Sequence, residues 1–147
     1  MNKTIFILLF FLMSCGYQPI YISKNINQLE YSEIILTGDD EINKKIINAL
    51  FIKENKNGNK LYLSNSFKNE ATSKNTIGQS VSFKTTLNVD LKIESNDRKI
   101  LENKKFIKEF SYNNKENKIE LVEYQNSIKS DLTAQIISEI TIYLNSK

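Results

Sequence analysis

The chain has 147 residues, a formal net charge of +3, no histidine and one cysteine. A nucleic-acid-binding protein would concentrate basic residues on one face, and a charge this close to balance argues against that class. The lack of histidine removes the commonest general base and metal ligand, and the sequence contains no GxSxG, Walker or HExxH motif. We therefore expect a protein that is not an enzyme, binds no metal and forms no internal disulfide.

The first predicted element is a signal peptide, residues 1–14. Lys3 precedes an uncharged apolar run from Ile5 to Met13, and Ser14 follows. A basic start, about 7–15 apolar residues and a small residue before the cut are typical of secretory signals. The run is shorter than the roughly 20 residues of a membrane-spanning helix. The alternatives are an ordinary signal peptide with an incidental cysteine, and an uncleaved anchor.

The end of this segment, Leu12-Met13-Ser14-Cys15, resembles the lipobox of bacterial lipoproteins. In that motif the cysteine thiol, the most nucleophilic side chain near neutral pH, is diacylated and the signal is cut just before it. The resemblance implies an S-diacylglycerol group and an N-acyl chain such as palmitate on Cys15, and no other cofactor. Two or more acyl chains hold a protein firmly on a membrane, so we expect a lipid-anchored protein.

Residues 15–30 are predicted to form an extended tether, and residues 31–147 a single domain. The tether contains the only proline, Pro19, and shows no hydrophobic period. The next stretch, Tyr31 to Gly38, is apolar and β-branched and ends in a glycine, which predicts a buried strand.

A helix is predicted after this strand, because residues 39–41 are acidic and suit a helix N-terminus. We expect the helix to continue to Lys53 and Lys56 and to stop at Asn57-Gly58 in a left-handed turn. The same Asn-Gly pair would also fit a hairpin turn. Apolar residues that share one face of the helix are Ile42, Ile46, Ile47 and Leu50.

Three strands are predicted next, with the clearest pattern in residues 81–93. Lys60 to Phe67 alternates weakly and predicts a strand, whereas Lys68 to Gln79 is polar and aperiodic and predicts a loop. Residues 95–98 form a turn, and Ile100 to Tyr112 forms the partner strand. The odd positions of the middle strand predict a core face: Val81, Phe83, Leu87, Val89, Leu91 and Ile93. The even positions predict a polar face: Ser82, Lys84, Thr86, Asn88, Asp90 and Lys92.

The last predicted element is a long helix. Asn117 followed by Glu120 fits a capping box. Its apolar stripe covers about a third of the circumference, which is enough to cover a sheet. The stripe consists of Leu121, Ile128, Leu132, Ile136, Ile140 and Leu144. The predicted fold is therefore α+β, a two-layer sandwich of order β-α-β-β-β-α, with about four strands and both helices on one face.

Several stretches together resemble LptE, the family of LPS-assembly lipoproteins of the bacterial outer membrane. These are the lipobox, the mature start Cys15-Gly16-Tyr17-Gln18-Pro19-Ile20-Tyr21, the strand entry Gly78-Gln79-Ser80-Val81-Ser82-Phe83 and the helix from Asp131 to Leu144. The resemblance implies a plug in the lumen of the β-barrel LptD that aids barrel assembly and binds lipopolysaccharide for delivery to the outer leaflet. It also implies a lipid anchor on the periplasmic side of the outer membrane.

Lipopolysaccharide carries anionic phosphates, for which loop lysines are natural partners as point charges. In an antiparallel meander the loop before the third strand and the joint after the fourth share one sheet end. We therefore expect Lys68, Lys74, Lys115 and Lys118 to lie together as a lipopolysaccharide-binding cluster. The alternative is that these lysines are ordinary surface residues.

An accessory lipoprotein of another lipid transport system, or a free periplasmic lipid-binding module, is the other functional interpretation. A lipid carrier needs a cavity lined by apolar side chains. The apolar positions here are predicted to be used in sheet–helix packing, which favours the plug.

Overall fold

The computed structural model describes residues 29–56 and 58–146. The predicted signal peptide, Cys15 and residues 15–28 of the predicted tether lie outside the described residues. Leu29 and Glu30 already belong to the folded part. The elements in chain order are β1 (Glu30–Tyr31), β2 (Glu33–Thr37), α1 (Asp40–Ala49), β3 (Lys53–Glu54), β4 (Lys60–Lys74), β5 (Ser80–Glu94), β6 (Ile100–Asn113) and α2 (Lys118–Asn145).

The described chain forms a four-stranded sheet in the order β2-β4-β5-β6. β2 and β4 are parallel and are joined through α1, whereas β4, β5 and β6 form an antiparallel meander. β1 and β3 pair separately as a short parallel ribbon. Both helices pack on one face of the four-stranded sheet, so the predicted α+β two-layer sandwich is confirmed.

The core lies between this sheet face and the two helices. β5 contributes its odd positions from Thr85 to Ile93, and α2 contributes the predicted stripe, in which Ile136 and Ile140 have no exposed surface. Burying one Leu or Ile side chain contributes about 1.5–3 kcal/mol relative to leaving it exposed. The buried residues of these two elements are Thr85, Leu87, Val89, Leu91, Ile93, Ile128, Leu132, Thr133, Ile136 and Ile140.

Both helices begin at side-chain caps; the sequence predicts the cap at Asn117, and it predicts acidic residues, without naming a cap, at the start of α1. The Oδ1 atom of Asp39 accepts hydrogen bonds from the backbone N–H groups of Glu41 at 2.9 Å and Ile42 at 3.2 Å. At the start of α2, Asn117 Oδ1 accepts from Ile119 N–H at 2.9 Å. A cap of this kind satisfies donors that have no partner inside the helix and contributes about 1 kcal/mol.

The predicted end of the first helix is wrong. α1 ends at Ala49, and Phe51 takes a left-handed conformation with φ of 52°. The chain then turns so that Ile52 enters the core and Lys53 N–H donates to Leu29 O at 3.0 Å. Lys53 therefore belongs to β3, and the predicted stop at Asn57-Gly58 is not used, Asn57 itself lying outside the described residues. A distant strand partner decides this end, and helical periodicity does not reveal it.

The predicted loop from Lys68 to Gln79 is also wrong, because β4 continues to Lys74. Its ladder with β5 pairs Lys68 with Thr86 and Lys74 with Ser80, with irregular register around Ser73. Residues 68–74 are exposed, so neither face of this part of the strand needs apolar residues. An exposed strand shows no alternation, and the sequence pattern therefore resembles a loop.

β2, predicted as a buried strand, is an edge strand. It pairs with β4 on one side only, and Leu36 keeps 42% of its surface exposed. Its β-branched composition was a correct indicator of extended structure but not of central position in the sheet.

Candidate ligand-binding end of the sheet

One end of the sheet, which we call the hairpin end, consists of the turn at residues 75–79, the adjoining ends of β4 and β5, and the joint at residues 114–117. The joint is fixed to the start of β5 by two hydrogen bonds. Asn114 N–H donates to Val81 O at 2.7 Å, and its side-chain amide donates to Ser80 O at 2.8 Å. The hairpin and the N-terminus of α2 are therefore held as one unit.

The hairpin turn is closed by Asn75. Its Oδ1 atom accepts from the N–H groups of Ile77 at 3.1 Å and Gln79 at 2.9 Å. Gly78 has φ of 83°, a conformation that glycine adopts without cost. The closed turn leaves 74% of the Ile77 side chain exposed at its tip.

The structure brings three of the four predicted lysines to this end. Lys74 pairs with Ser80 at the last position of β4, Lys115 follows the anchored Asn114, and Lys118 opens α2. Lys68 lies in the middle of β4 opposite Thr86. At about 3.3 Å per residue it is roughly 20 Å from Lys74 along the strand, so it does not join the other three.

Lys115 is oriented by a stack of aromatic rings. Its Nζ atom lies 4.6 Å from the centre of the Tyr124 ring, a cation–π distance. Tyr124 meets Tyr112 edge to face at 5.5 Å, and Tyr112 stacks on Phe83 at 5.6 Å. The ammonium group is thus held at the sheet end by rings that pack against the core.

A cluster of hydroxyl groups adjoins Lys74. The irregular register at the end of β4 places both Thr72 Oγ1 and Ser73 Oγ at 2.7 Å from Ser82 Oγ. Each hydroxyl offers one donor and two acceptor positions. Hydroxyls beside an ammonium group are suited to phosphate and sugar oxygens, and nothing in the sequence pattern indicates this cluster.

The hairpin end also carries apolar side chains that sequence reasoning missed. Ile119 is 72% exposed and Val122 54% exposed on the outer side of α2, and Val81 is 43% exposed at the start of β5. Ile119 and Val122 fall outside the predicted core stripe of α2, whereas Val81 was predicted to lie on the core face of β5, and that prediction is wrong. Glu116 and Glu120 lie among the lysines, so the charge of this end is mixed rather than strongly basic.

This set of groups can bind an amphipathic anion: ammonium and hydroxyl groups for its head, and exposed aliphatic side chains for its apolar part. Within residues 29–56 and 58–146 there is no cluster of carboxylate or cysteine side chains that could hold a metal ion. In the same ranges no helix is long and apolar enough to cross a membrane.

The sheet face opposite the helices is the second candidate surface, and it is polar as predicted. Two of its lysines pair with neighbours: Lys84 lies 2.7 Å from Glu109, and Lys92 lies 2.8 Å from Glu94 and 4.6 Å from the Tyr62 ring centre. Asn88 donates to Ser66 Oγ at 3.3 Å. Because these paired charges are partly exposed, this sheet face can lie against polar side chains and water.

Comparison with known proteins relates the chain to others through its fold. No protein-family model matches the sequence, and no curated protein is significantly similar to it. Solved structures with the same fold include the rare lipoprotein B of Shewanella oneidensis, at a TM-score of 0.60 and 12% identity, covering 78% of this chain and 94% of that one. Lipoprotein B of Nitrosomonas europaea matches with a TM-score of 0.55 at 8% identity, over 84% and 88% of the two chains.

A minor lipoprotein of Acinetobacter baumannii matches with a TM-score of 0.50 and 16% identity, over 78% of this chain and 94% of that one. At these identities the likeness establishes the fold alone. The chain therefore has a fold that bacterial lipoproteins use.

Proposed function

We propose that the chain is a lipoprotein of the LptE type, anchored through Cys15 to the periplasmic side of the outer membrane. In this proposal it forms a complex with the LptD β-barrel, aids its assembly, and binds lipopolysaccharide for delivery to the outer leaflet. It is a binding protein, so no bond is made or broken.

The observation that carries the proposal is the shared fold with rare lipoprotein B, in a chain whose N-terminus carries a lipobox-like Leu12-Met13-Ser14-Cys15. Fold likeness and lipobox are different kinds of observation, since the first concerns the path of the backbone and the second is a sequence motif outside the described residues. Both agree with a lipid-anchored envelope protein.

The hairpin end supplies the groups that lipopolysaccharide requires. Lys74, Lys115 and Lys118 would pair with phosphates as point charges, and the Ser82 hydroxyl cluster would donate hydrogen bonds to phosphate oxygens and exchange them with sugar hydroxyls. Exposed Ile77 and Ile119 would contact acyl chains, with a gain of about 25 cal/mol per Å² of apolar surface covered.

The polar sheet face supports the placement of the body in a barrel lumen. A lumen of this kind is lined by polar side chains and water. A lysine of this face that is already paired, as Lys84 is with Glu109, enters such surroundings without leaving an unpaired charge behind.

The test is extraction of outer membranes in mild detergent, affinity purification of the tagged chain, and identification of the retained proteins. We expect one large heat-modifiable barrel in near-equal amount. Recovery of the chain alone, or together with an ATPase complex, would contradict the proposal and favour an accessory lipoprotein of a different transport system.

A further inference from the structure

β6 is a long edge strand of the described sheet. It spans Ile100–Asn113 and pairs with β5 on one side, and no strand among the described residues covers its other side. The bond from Asn114 N–H to Val81 O shows that even-numbered positions direct their backbone groups toward β5. The odd-numbered positions therefore direct theirs outward, because the two directions alternate in an antiparallel ladder. An open edge of this length is a template for another strand.

The edge is apolar at its centre. Ile107 is 50% exposed, and beside it lies a groove between β6 and the end of α2, to which Ile142, 66% exposed, contributes. Tyr143 forms the inner wall of this groove and packs edge to face on Phe106 at 6.0 Å.

We propose that the partner of this edge is β6 of a second copy of the chain, paired antiparallel about a twofold axis at Ile107. In this register Ile107 faces its own counterpart, and Lys105 of each copy faces Glu109 of the other. The proposal goes beyond the proposed barrel partner: it concerns the chain outside the barrel, and both of its tests use the chain without the barrel.

Charge complementarity selects this register among those that pair most of β6. β6 carries Lys104, Lys105 and Lys108, and like charges directly opposite each other destabilise a strand pair. An axis at Ile107 places these lysines opposite Phe110, Glu109 and Phe106 respectively. An axis at Phe106 would set Lys104 against Lys108, and an axis at Lys105 or Lys108 would set that lysine against itself.

The backbone directions agree with the same register. The outward groups belong to odd positions, and an axis at Ile107 pairs odd positions with odd positions. This arrangement also keeps core-facing residues on the same side, so the helices of both copies cover one face of a continuous sheet. Glu109 already binds Lys84 at 2.7 Å, and its two carboxylate oxygens allow it to accept from a second lysine.

Site-specific crosslinking of the full chain in detergent tests the register. In the proposed register Ile107→Cys places two thiols opposite each other. Asn103→Cys is the control, on the same face of the same strand. It faces Ser111 of the other copy, and at about 3.3 Å per residue it lies about 26 Å from the cysteine of that copy. The original chain, which has no introduced cysteine, is a second control and shows any crosslinking that occurs through Cys15. We expect a rapid disulfide-linked dimer for Ile107→Cys only. Equal crosslinking of the two variants would overturn the proposal.

Sedimentation of the full chain provides a second test without an introduced thiol. Ile107→Lys puts like charges together at the axis and should weaken self-association at least severalfold, whereas Ile107→Val should leave it close to the original. Position 107 is half-exposed, so neither change should disturb folding, and the midpoint of thermal unfolding checks this. An original chain that is monomeric at all concentrations, or a Lys variant that associates as well as the Val variant, would overturn the proposal.

Discussion

The Lys129 ammonium of α2 lies 2.7 Å from the carboxylate of Asp39, the residue that caps α1. The same ammonium lies 2.9 Å from Glu41 and 5.9 Å from the centre of the Phe67 ring on β4. One side chain thus joins both helices to the sheet. Its hydrogen bond is the main reason that the pKa values of Asp39 and Glu41 are lowered. Partial burial opposes the charge on Lys129, but its two carboxylate partners raise its pKa overall.

The first prediction concerns Lys129→Met. The free energy of unfolding should fall by roughly 1 kcal/mol at neutral pH, since the pair is partly exposed. Because the Asp39 pKa is lowered, the stabilisation is present above the usual carboxyl pKa and is lost as the pH falls through the lowered value. Because the Lys129 pKa is raised, the stabilisation is lost again as the pH rises through that value.

Denaturant unfolding across the pH range measures this difference. The difference in the free energy of unfolding between the original and the Lys129→Met chain should be largest at neutral pH and should disappear at both pH extremes. Lys44→Met, at an exposed lysine of α1, removes the same charge and should show no such dependence. A difference for Lys129→Met that stays unchanged from neutral pH to acid unfolding, or one that Lys44→Met reproduces, would contradict the ion-pair account.

The second prediction compares two glycines that share a left-handed backbone. Gly38 has φ of 98°, and a Cβ atom there would lie 2.1 Å from the backbone oxygen of Asn65. Gly78 has φ of 83°, and a Cβ atom there would meet nothing within 4 Å. Gly78→Ala should cost about 1 kcal/mol from backbone strain alone, and Gly38→Ala more than about 3 kcal/mol or folding itself, because a clash is added. Equal thermal stability of the two variants would refute the close approach.

The third prediction concerns Asn65, whose side chain is buried on β4 and joins the start of α1. Its Oδ1 atom accepts from Asp39 N–H at 3.0 Å, and its amide donates to Asp39 O at 3.1 Å and to Asn43 Oδ1 at 2.9 Å. Asn65→Leu leaves these groups buried without partners and should cost about 2–4 kcal/mol. Asn88→Leu, on the polar sheet face, should cost less than about 1 kcal/mol. Chemical denaturation compares them, and a similar loss in both would argue against a buried network.

The fourth prediction concerns lipidation. Cells grown with labelled palmitate should incorporate the label into the original chain and not into the Cys15→Ser variant, because serine lacks the thiol that accepts the lipid. The variant should also leave the membrane fraction, since its anchor is lost. Labelling that persists in the Cys15→Ser variant would exclude Cys15 as the attachment site.

The parts of the fold that sequence reasoning recovered are those with one buried face. β5 and α2 each bury a single stripe of apolar side chains in the core. The spacing of Leu87 and Leu91 shows the strand alternation, and that of Ile136 and Ile140 shows the helical period. The end of α1 could not be recovered in this way. It depends on the bond between Lys53 and Leu29, and such a long-range pairing leaves no local pattern.

The candidate site was recoverable only in outline. The meander topology was enough to bring Lys74, Lys115 and Lys118 to one end. It was not enough to exclude Lys68, because the exposed half of β4 has no alternation. The hydroxyl cluster at Ser82 arises from an irregular strand register, which depends on backbone geometry rather than on residue type.

The most direct measurement is the affinity of the purified full chain for lipopolysaccharide, with and without the lysines of the hairpin end. Lys74→Gln/Lys118→Gln removes two charges there, and Arg98→Gln/Lys99→Gln removes two charges from the β5–β6 turn at the opposite end. These are surface changes that should leave folding intact.

We expect affinity at low salt to fall about tenfold or more for the hairpin-end pair, since each charge-assisted contact contributes about 1.5–3 kcal/mol. The control pair should stay close to the original chain, and the hairpin-end variant should also depend less on salt. If lipopolysaccharide binds both variants as tightly as it binds the original chain, the hairpin end is not the binding site.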